Sequence, residues 1–373
     1  MRIAHILKTT GLSGAESHLL TLSGGLRAEG FESRLIVLVD RRRPPTALIE
    51  AAKAVDVPVD LMPLAHDLDL AIVPKMAALL KSGRTQIVHT HMIHGDLYGA
   101  LAARHLKLTV VQTRHNDDKF RRRWLVRLLT RWLAAQANTV IAISDSLAAF
   151  VRDVEGVPGS KIVRIHYGLD PALVAAKAHP GKLRAELGLS DEVPLVGAVG
   201  RLTEQKGYRY LLEAFAIVRR SLPQAQLVIA GDGELRSTLE AQGDKDAVHF
   251  LGWRSDVSSV MADIDVLAVP SLWEGFGLVT LEAMALSKPV VASRVSALPE
   301  IVADGETGLL VPPADPKALA GALCALLSHK AQARAMGERG RVRLQIDFSV
   351  QRMVRQHVAV YKEAASRVPE FRA

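Results

Sequence analysis

Short apolar runs rich in β-branched residues alternate with longer helical patterns almost from end to end of the chain. That rhythm limits the possible folds more than any other feature. The runs Arg2–Leu7, Arg34–Val39, Ile87–His91, Thr109–Thr113 and Thr139–Ser144 come first; after a break follow Leu195–Val199, Gln226–Ala230, Val248–Leu251, Val266–Val269 and Pro289–Ala292. Most are nearly continuous in apolar character, as parallel strands covered on both faces must be. Between them lie helical patterns such as Glu16–Glu29, Tyr208–Ser221 and Gly233–Ala241. The alternation predicts an α/β chain with doubly wound sheets.

The rhythm lapses at Asp170–Asp191, where Pro171, Pro180-Gly181 and Pro194 punctuate the chain around a short helical pattern at Lys182–Leu187. A chain of 373 residues suits two domains. The expected division is 1–172 and 173–350, with residues 351–373 a last helix crossing back to the first domain. Ligands of doubly wound sheets bind outside the carboxyl ends of the strands. A cleft between two such domains, facing each other, is therefore the expected site. Fold alone names no reaction.

Composition removes several classes. Aromatics make up only 5% of the residues, which argues against wide stacking platforms for single-stranded nucleic acid. The single cysteine, Cys324, excludes a disulfide framework and a thiolate-rich metal site. The apolar stretch Ile3–Leu7 is too short for a signal peptide, and no run approaches a bilayer span. A cytoplasmic protein is expected. Lys and Arg outnumber Asp and Glu by 47 to 39, and six of these cations (Lys119, Arg121, Arg122, Arg123, Arg127 and Arg131) fall in a window of thirteen residues without an acid.

Two segments carry the chemistry. The first is Pro270-Ser271-Leu272-Trp273-Glu274-Gly275-Phe276-Gly277-Leu278 through Glu282, a strand running into a glycine-punctuated loop and then a helix. Gly275 and Gly277 let backbone approach a ligand closely, helix amides can meet anionic groups, and Glu282 could accept a ribose diol. A solvated loop acid and a surface helix acid would show the same spacing. The second segment is Gly197-Ala198-Val199-Gly200-Arg201 through Lys206-Gly207. Arg201 and Lys206 flank a turn and can converge on a diphosphate, or both can simply be solvated. Neither a P-loop nor Gly-x-Gly-x-x-Gly is present.

Glu274-Gly275-Phe276-Gly277 through Glu282 resembles the Glu-x7-Glu motif of the retaining glycosyltransferases of family 4, which have the GT-B fold. Gly200-Arg201 through Lys206-Gly207 resembles their donor-diphosphate motif. Gly231-Asp232-Gly233, Phe250-Leu251-Gly252 and Ala297-Leu298-Pro299-Glu300-Ile301 through Gly305-Glu306-Thr307-Gly308-Leu309-Leu310 are similar in order and spacing. The resemblance covers nearly the whole second half and is thinner in the first. It implies that Arg201 and Lys206 neutralise a leaving diphosphate and Glu282 binds ribose hydroxyls. Glu274 would contact the sugar, with the amides of Phe276, Gly277 and Leu278 supporting sugar or phosphate. Gly231, Gly233 and Arg254 would lie near the base. Gly14, in Ser13-Gly14-Ala15-Glu16, would approach the diphosphate, with Ser13 standing where the family has glycine. His115 would lie beside the transferred sugar. Before Gly168 the family usually has Asn; here it is Tyr167, onto which no role is carried.

The resemblance implies a hexosyl-type transfer from a nucleotide-diphosphate sugar to a sugar or lipid-linked acceptor, in polysaccharide or glycolipid synthesis. It also implies retention by attack on the face the phosphate leaves, with Glu274 as nucleophile of a double displacement the alternative by analogy with retaining glycosidases; no cofactor or metal is expected. His89, His91 and His94 near His115 could form a zinc site, but the neighbourhood lacks thiolates. Asp263-Ile264-Asp265 reads as a turn, not a metal motif. Phe120, Trp124, Leu128 and Trp132 recur at helical spacing beside Arg123, Arg127 and Arg131. With Arg121 and Arg122 they form an amphipathic helix suited to an anionic membrane surface at its cytoplasmic face, or equally a core helix with solvated arginines. No nucleic-acid motif accompanies the patch. A sugar-nucleotide epimerase on the same scaffold and a non-catalytic membrane-surface protein are the alternatives.

Overall fold

The computed structural model describes residues 1–40, 44–117 and 123–366. It divides into two compact units, residues 1–168 with 350–373, and residues 169–349.

The first unit contains a parallel sheet of seven strands in the order β3-β2-β1-β4-β5-β6-β7. These are β1 (Arg2–Lys8), β2 (Glu32–Asp40), β3 (Val59–Leu64), β4 (Ile87–His91), β5 (Thr109–Arg114), β6 (Thr139–Ala142) and β7 (Ile162–Arg164). The connecting helices are α1 (Gly14–Ala28), α2 (Thr46–Ala54), α3 (Ile72–Ser82), α4 (Met92–Leu106), α5 (Trp124–Gln136) and α6 (Asp145–Asp153). Helix α1 starts two residues before the expected Glu16. Ser13 is its N-cap, and its amide donates to the Glu16 carboxylate at 2.9 Å. The central strands β4, β5 and β6 are buried throughout, and β4 and β5 pass from apolar residues at their amino ends to buried polar ones at their carboxyl ends.

In the second unit six parallel strands follow the order β10-β9-β8-β11-β12-β13. Helices α7 (Pro171–Ala176) and α8 (Lys182–Leu187) precede β8 (Leu195–Val199) and occupy the stretch where the sequence rhythm lapses. Then come α9 (Tyr208–Ser221), β9 (Gln226–Ala230), α10 (Arg236–Gln242), β10 (Val248–Gly252), α11 (Val257–Asp263), β11 (Val266–Val269), α12 (Leu278–Ala285), β12 (Val290–Ser293), α13 (Leu298–Ile301), β13 (Gly308–Val311), α14 (Pro316–Ser328) and α15 (Lys330–Asp347). Helix α9 buries Tyr208, Leu211, Leu212, Phe215 and Val218, a stripe of helical period against the sheet. Asp263 accepts from the amides of Leu183 and Arg184 at 2.7 and 3.1 Å, so its carboxylate caps α8. Asp265 accepts from the Leu195 amide at 2.8 Å and from Arg184 at 3.2 Å.

The last helix, α16 (Val350–Ser366), belongs to the first unit. Its Met353, Val354, Val360 and Tyr361 join Ile3, Leu22, Leu26, Ile87, Val111 and Ile141 in one buried cluster.

Candidate functional site

In the second unit the segments leaving β8, β9 and β10 are stitched to one another at the carboxyl ends of the strands. The Gly200 amide donates to the Ala230 carbonyl at 3.0 Å, the Leu202 amide to Asp232 at 2.9 Å, and the Gly231 amide to Gly252 at 2.7 Å. Gly231 has φ +144°, and a Cβ there would stand 1.9 Å from the Gly200 carbonyl oxygen. Only glycine allows these turns to close. Gly233 lies in the same stitching, where a Cβ would stand 2.6 Å from the Leu202 carbonyl oxygen, and the Leu235 amide donates to Leu202 at 3.0 Å. This is why α10 begins at Arg236 and not at the expected Gly233: residues 231–235 bond across to the neighbouring loop.

The loop after β8 also meets the loop after β11. Lys206 Nζ lies 2.6 Å from Glu274 Oε2, and both side chains are largely buried. Ser271 Oγ donates to the same carboxylate oxygen at 3.2 Å. Gln205 Nε2 donates to the Trp273 carbonyl at 3.1 Å, and the Leu272 amide to the Gln205 carbonyl at 2.8 Å. Gly207, at φ +64°, would place a Cβ 2.1 Å from the Pro270 carbonyl oxygen. Ser296, itself at φ +47°, accepts the Glu274 amide on Oγ at 3.2 Å. Tyr208 is buried behind the pair, and burial with the Glu274 charge pushes its hydroxyl pKa up. Arg201 is exposed, with no ion-pair partner among the described residues.

Gly275, Phe276 and Gly277 follow in the buried turn, and Leu278 opens α12. The Phe276 ring meets Phe348 edge-on at 6.2 Å. Glu282 lies on α12, four residues beyond Leu278, half-buried; desolvation pushes its carboxyl pKa up to about 7 against the opposing pull of Lys177. Arg254 is held by Asp256 at 2.8 Å and by both oxygens of Glu186 at 2.8 and 3.0 Å. Its guanidinium braces the turn after β10.

In the first unit Gly14 is exposed in the first turn of α1. His115 directly follows β5, whose end is pinned by a buried ion triad: Arg114 meets Asp96 at 2.6 Å and Glu155 at 3.0 Å. Its ring stands 2.9 Å from His91 and contacts the Tyr167 hydroxyl. His94 does not join this group. Strand alternation ends at His91, and from α4 His94 faces Asp67 at 3.7 Å. His5 takes the place expected for it: ligand atoms of His5, His89 and His91 lie within 4.8 Å of one another, a set able to hold a metal ion. Sequence reasoning missed His5, His18, His357 and Tyr208. For His5 the signal was present, since its strand is apolar and the histidine interrupts it.

Helix α5 turns only Thr130, Leu133 and Ala134 inward. Trp124, Leu125, Leu128, Leu129 and Trp132 form an exposed apolar face, with Arg123, Arg127 and Arg131 also exposed. The alternative of a core-facing Trp stripe is thereby overturned. Arg121 and Arg122 lie outside the described residues. Among the described residues no helix is long and apolar enough to cross a membrane.

Residues 12–173 match the family model Glycosyltransferase Family 4, and residues 193–329 match Glycosyl transferases group 1. The chain belongs to the glycosyltransferases of GT-B fold. Alpha-maltose-1-phosphate synthase of Mycolicibacterium smegmatis is 30% identical over 313 residues, which span 75% of this chain and 79% of that protein. The UDP-Gal:alpha-D-GlcNAc-diphosphoundecaprenol alpha-1,3-galactosyltransferase of Escherichia coli is 29% identical over 327 residues, 83% of this chain and 84% of its own. In fold the chain is similar to HepE of Anabaena, solved in complex with UDP-glucose, with a TM-score of 0.82 and 23% identity over 99% of this chain and 100% of that one.

Proposed function

We propose that the chain is a retaining glycosyltransferase of family 4, moving a hexosyl-type sugar from a nucleoside-diphosphate sugar to a sugar or lipid-linked acceptor in surface polysaccharide or glycolipid synthesis. The observation that carries the reading is the Lys206–Glu274 pair, held between the loops after β8 and β11 with exposed Arg201 on the same loop. The relatives support it through their names, one of which joins a UDP-sugar donor to a diphosphate-lipid acceptor.

In this reading Arg201 and Lys206 stabilise charge developing on the departing diphosphate, the task a metal performs elsewhere. Glu282 takes the ribose hydroxyls, and Gly14 and His115 keep the roles the resemblance implies, at the diphosphate and the sugar. The acceptor hydroxyl attacks on the face the phosphate leaves. Glu274 is a weak candidate nucleophile, because Lys206 and Ser271 both bind one of its carboxylate oxygens. The exposed face of α5 holds the protein on an anionic membrane at its cytoplasmic side.

The test is a panel of nucleoside-diphosphate sugars offered to purified protein with and without acceptor. Donor consumption should require acceptor, and proton couplings of the product should show the donor's anomeric configuration. An inverted product would sink retention. An acceptor-independent epimerised nucleotide sugar would sink the transferase reading. Undiminished turnover in excess chelator is expected; activity lost to chelation and restored by a divalent ion would overturn metal independence.

A further inference from the structure

One face of the first sheet changes character along its length. At the amino ends of the strands it carries Ile3, Ile87 and Val111, packed under α1 and α16. Two and four residues further on, the same face carries imidazoles. Parallel register sets His5 opposite His89 and His91 opposite Thr113, so strand alternation brings His5, His89, His91 and Thr113 to one side. His115 continues β5 with the same parity.

The rings are in hydrogen-bond contact in sequence. His5 Nδ1 is 3.1 Å from His91 Nε2, and His91 Nδ1 is 2.9 Å from His115 Nε2. His115 Nδ1 in turn contacts the Tyr167 hydroxyl. Beside this row His89 bonds Thr113 and Tyr361, each at 2.7 Å. The Tyr167 ring stacks on His18 at 3.8 Å. His5 Nε2, at the inner end, is buried without a partner among the described residues.

We propose that His91 and Tyr167 are positioning residues for His115, and that the row His5–His91–His115–Tyr167 fixes the His115 ring in one orientation and one tautomer before any donor arrives. The inference rests on the reading that places His115 beside the transferred sugar. A neutral imidazole has one N–H and one lone pair, so a row of them runs in a single direction. The His5 and His91 rings are buried against other imidazoles, where a charge would go unpaired, so both are neutral. The direction follows from the ends. At the outer end the Tyr167 hydroxyl oxygen, which contacts His115 Nδ1, is able to accept. At the other end a bare lone pair on His5 Nε2 costs less than a buried, unpaired N–H, the rarer kind of orphan. Each ring of the row therefore carries its proton on Nδ1, the tautomer that a free histidine side chain disfavours.

Long-range nitrogen–proton correlation spectra of histidine-labelled protein read this directly. Expected are Nδ1–H tautomers at His5, His91 and His115. Tyr167→Phe keeps the ring on His18 and removes only the hydroxyl. It should release the single tautomer at His115 and lower kcat about tenfold, with donor KM and melting temperature little changed. Nε2–H tautomers along the row, or a Tyr167→Phe loss tracking the folded fraction alone, would overturn the proposal. So would stoichiometric zinc on His5, His89 and His91 by elemental analysis. His115→Ala separates the two readings. Unimpaired transfer in that variant removes His115 from the reaction, while the spectra still report on the row.

Discussion

At the scale of single residues, Arg201 and Lys206 look alike in sequence and differ in the structure. Arg201 is exposed and has no ion-pair partner among the described residues; Lys206 neutralises a largely buried carboxylate. Arg201→Ala should therefore leave stability within about 0.5 kcal/mol while turnover falls roughly a hundredfold or more. Lys206→Ala should also lose turnover, and in addition about 3 kcal/mol of stability, because Glu274 is left buried and unpaired. Denaturant melts beside initial rates separate the two effects. Equal melts for both variants would show that the pair contributes nothing to the fold. Glu282 supplies a pH signature. Its carboxyl pKa is raised to about 7, so the ionised form, which under the proposed function would accept two ribose hydroxyls, is lost as pH falls through neutrality. Donor KM should rise below pH 7, and Glu282→Gln should flatten the profile. Both charges of the Lys206–Glu274 pair were legible as motif residues. The contact was not, because 68 residues separate them and only the approach of two loops joins them.

At the scale of elements, the exposed apolar face of α5 makes a prediction of its own. Replacing Trp124, Leu128 and Trp132 by serine should abolish co-sedimentation with anionic vesicles while transfer to a soluble acceptor persists. Reversing Arg127 and Arg131 to glutamate should weaken sedimentation in a salt-dependent way. Wild-type sedimentation that is indifferent to lipid charge would count against the membrane role. The sequence revealed the helix and its two faces but not which face meets the protein, since an amphipathic stripe has the same period in either case. Strands show a similar boundary between the readable and the hidden. The inner strands announced themselves as short runs that are largely apolar and rich in β-branched residues. The missed ones, β3, β7 and β13, each lie at a sheet edge. In β3 and β7 the burial pattern breaks up, and β3 even carries Pro63, a residue tolerated where one side of a strand is unpaired.

At the scale of the whole molecule, buried histidines govern behaviour in acid. His5, His18, His89, His91 and His357 are all buried, and desolvation lowers the pKa of each. Above the ordinary histidine pKa of about 6.5 neither folded nor unfolded chain is protonated at these sites, and there is no penalty. Below it the unfolded chain binds protons that the native one refuses. Stability then falls as pH drops, by about 1.4 kcal/mol per pH unit for each histidine, until the native pKa values of about 4 for His357 and about 3 for His5 are reached. Denaturant midpoints taken from pH 7.5 to 5 should fall steeply below pH 6.5, and a flat dependence would contradict neutral burial of the cluster. The division into two sheets of α/β type was legible from the strand–helix rhythm alone. The histidine cluster was legible only in part, because alternation pairs His89 with His91 but only register adds His5.

The return of α16 to the first unit has a consequence for synthesis. On the ribosome the seven-stranded sheet emerges before residues 169–349, yet Ile3, Leu22 and Val111 lack the apolar lid that Met353, Val354 and Tyr361 provide until residues 350–366 have been made. Of the two units, the one begun earlier is thus completed later, while residues 169–349 form an uninterrupted stretch that can mature in passing. A stop codon just ahead of Val350 would consequently injure the sheet built from residues 2–164 rather than the segment next to the stop.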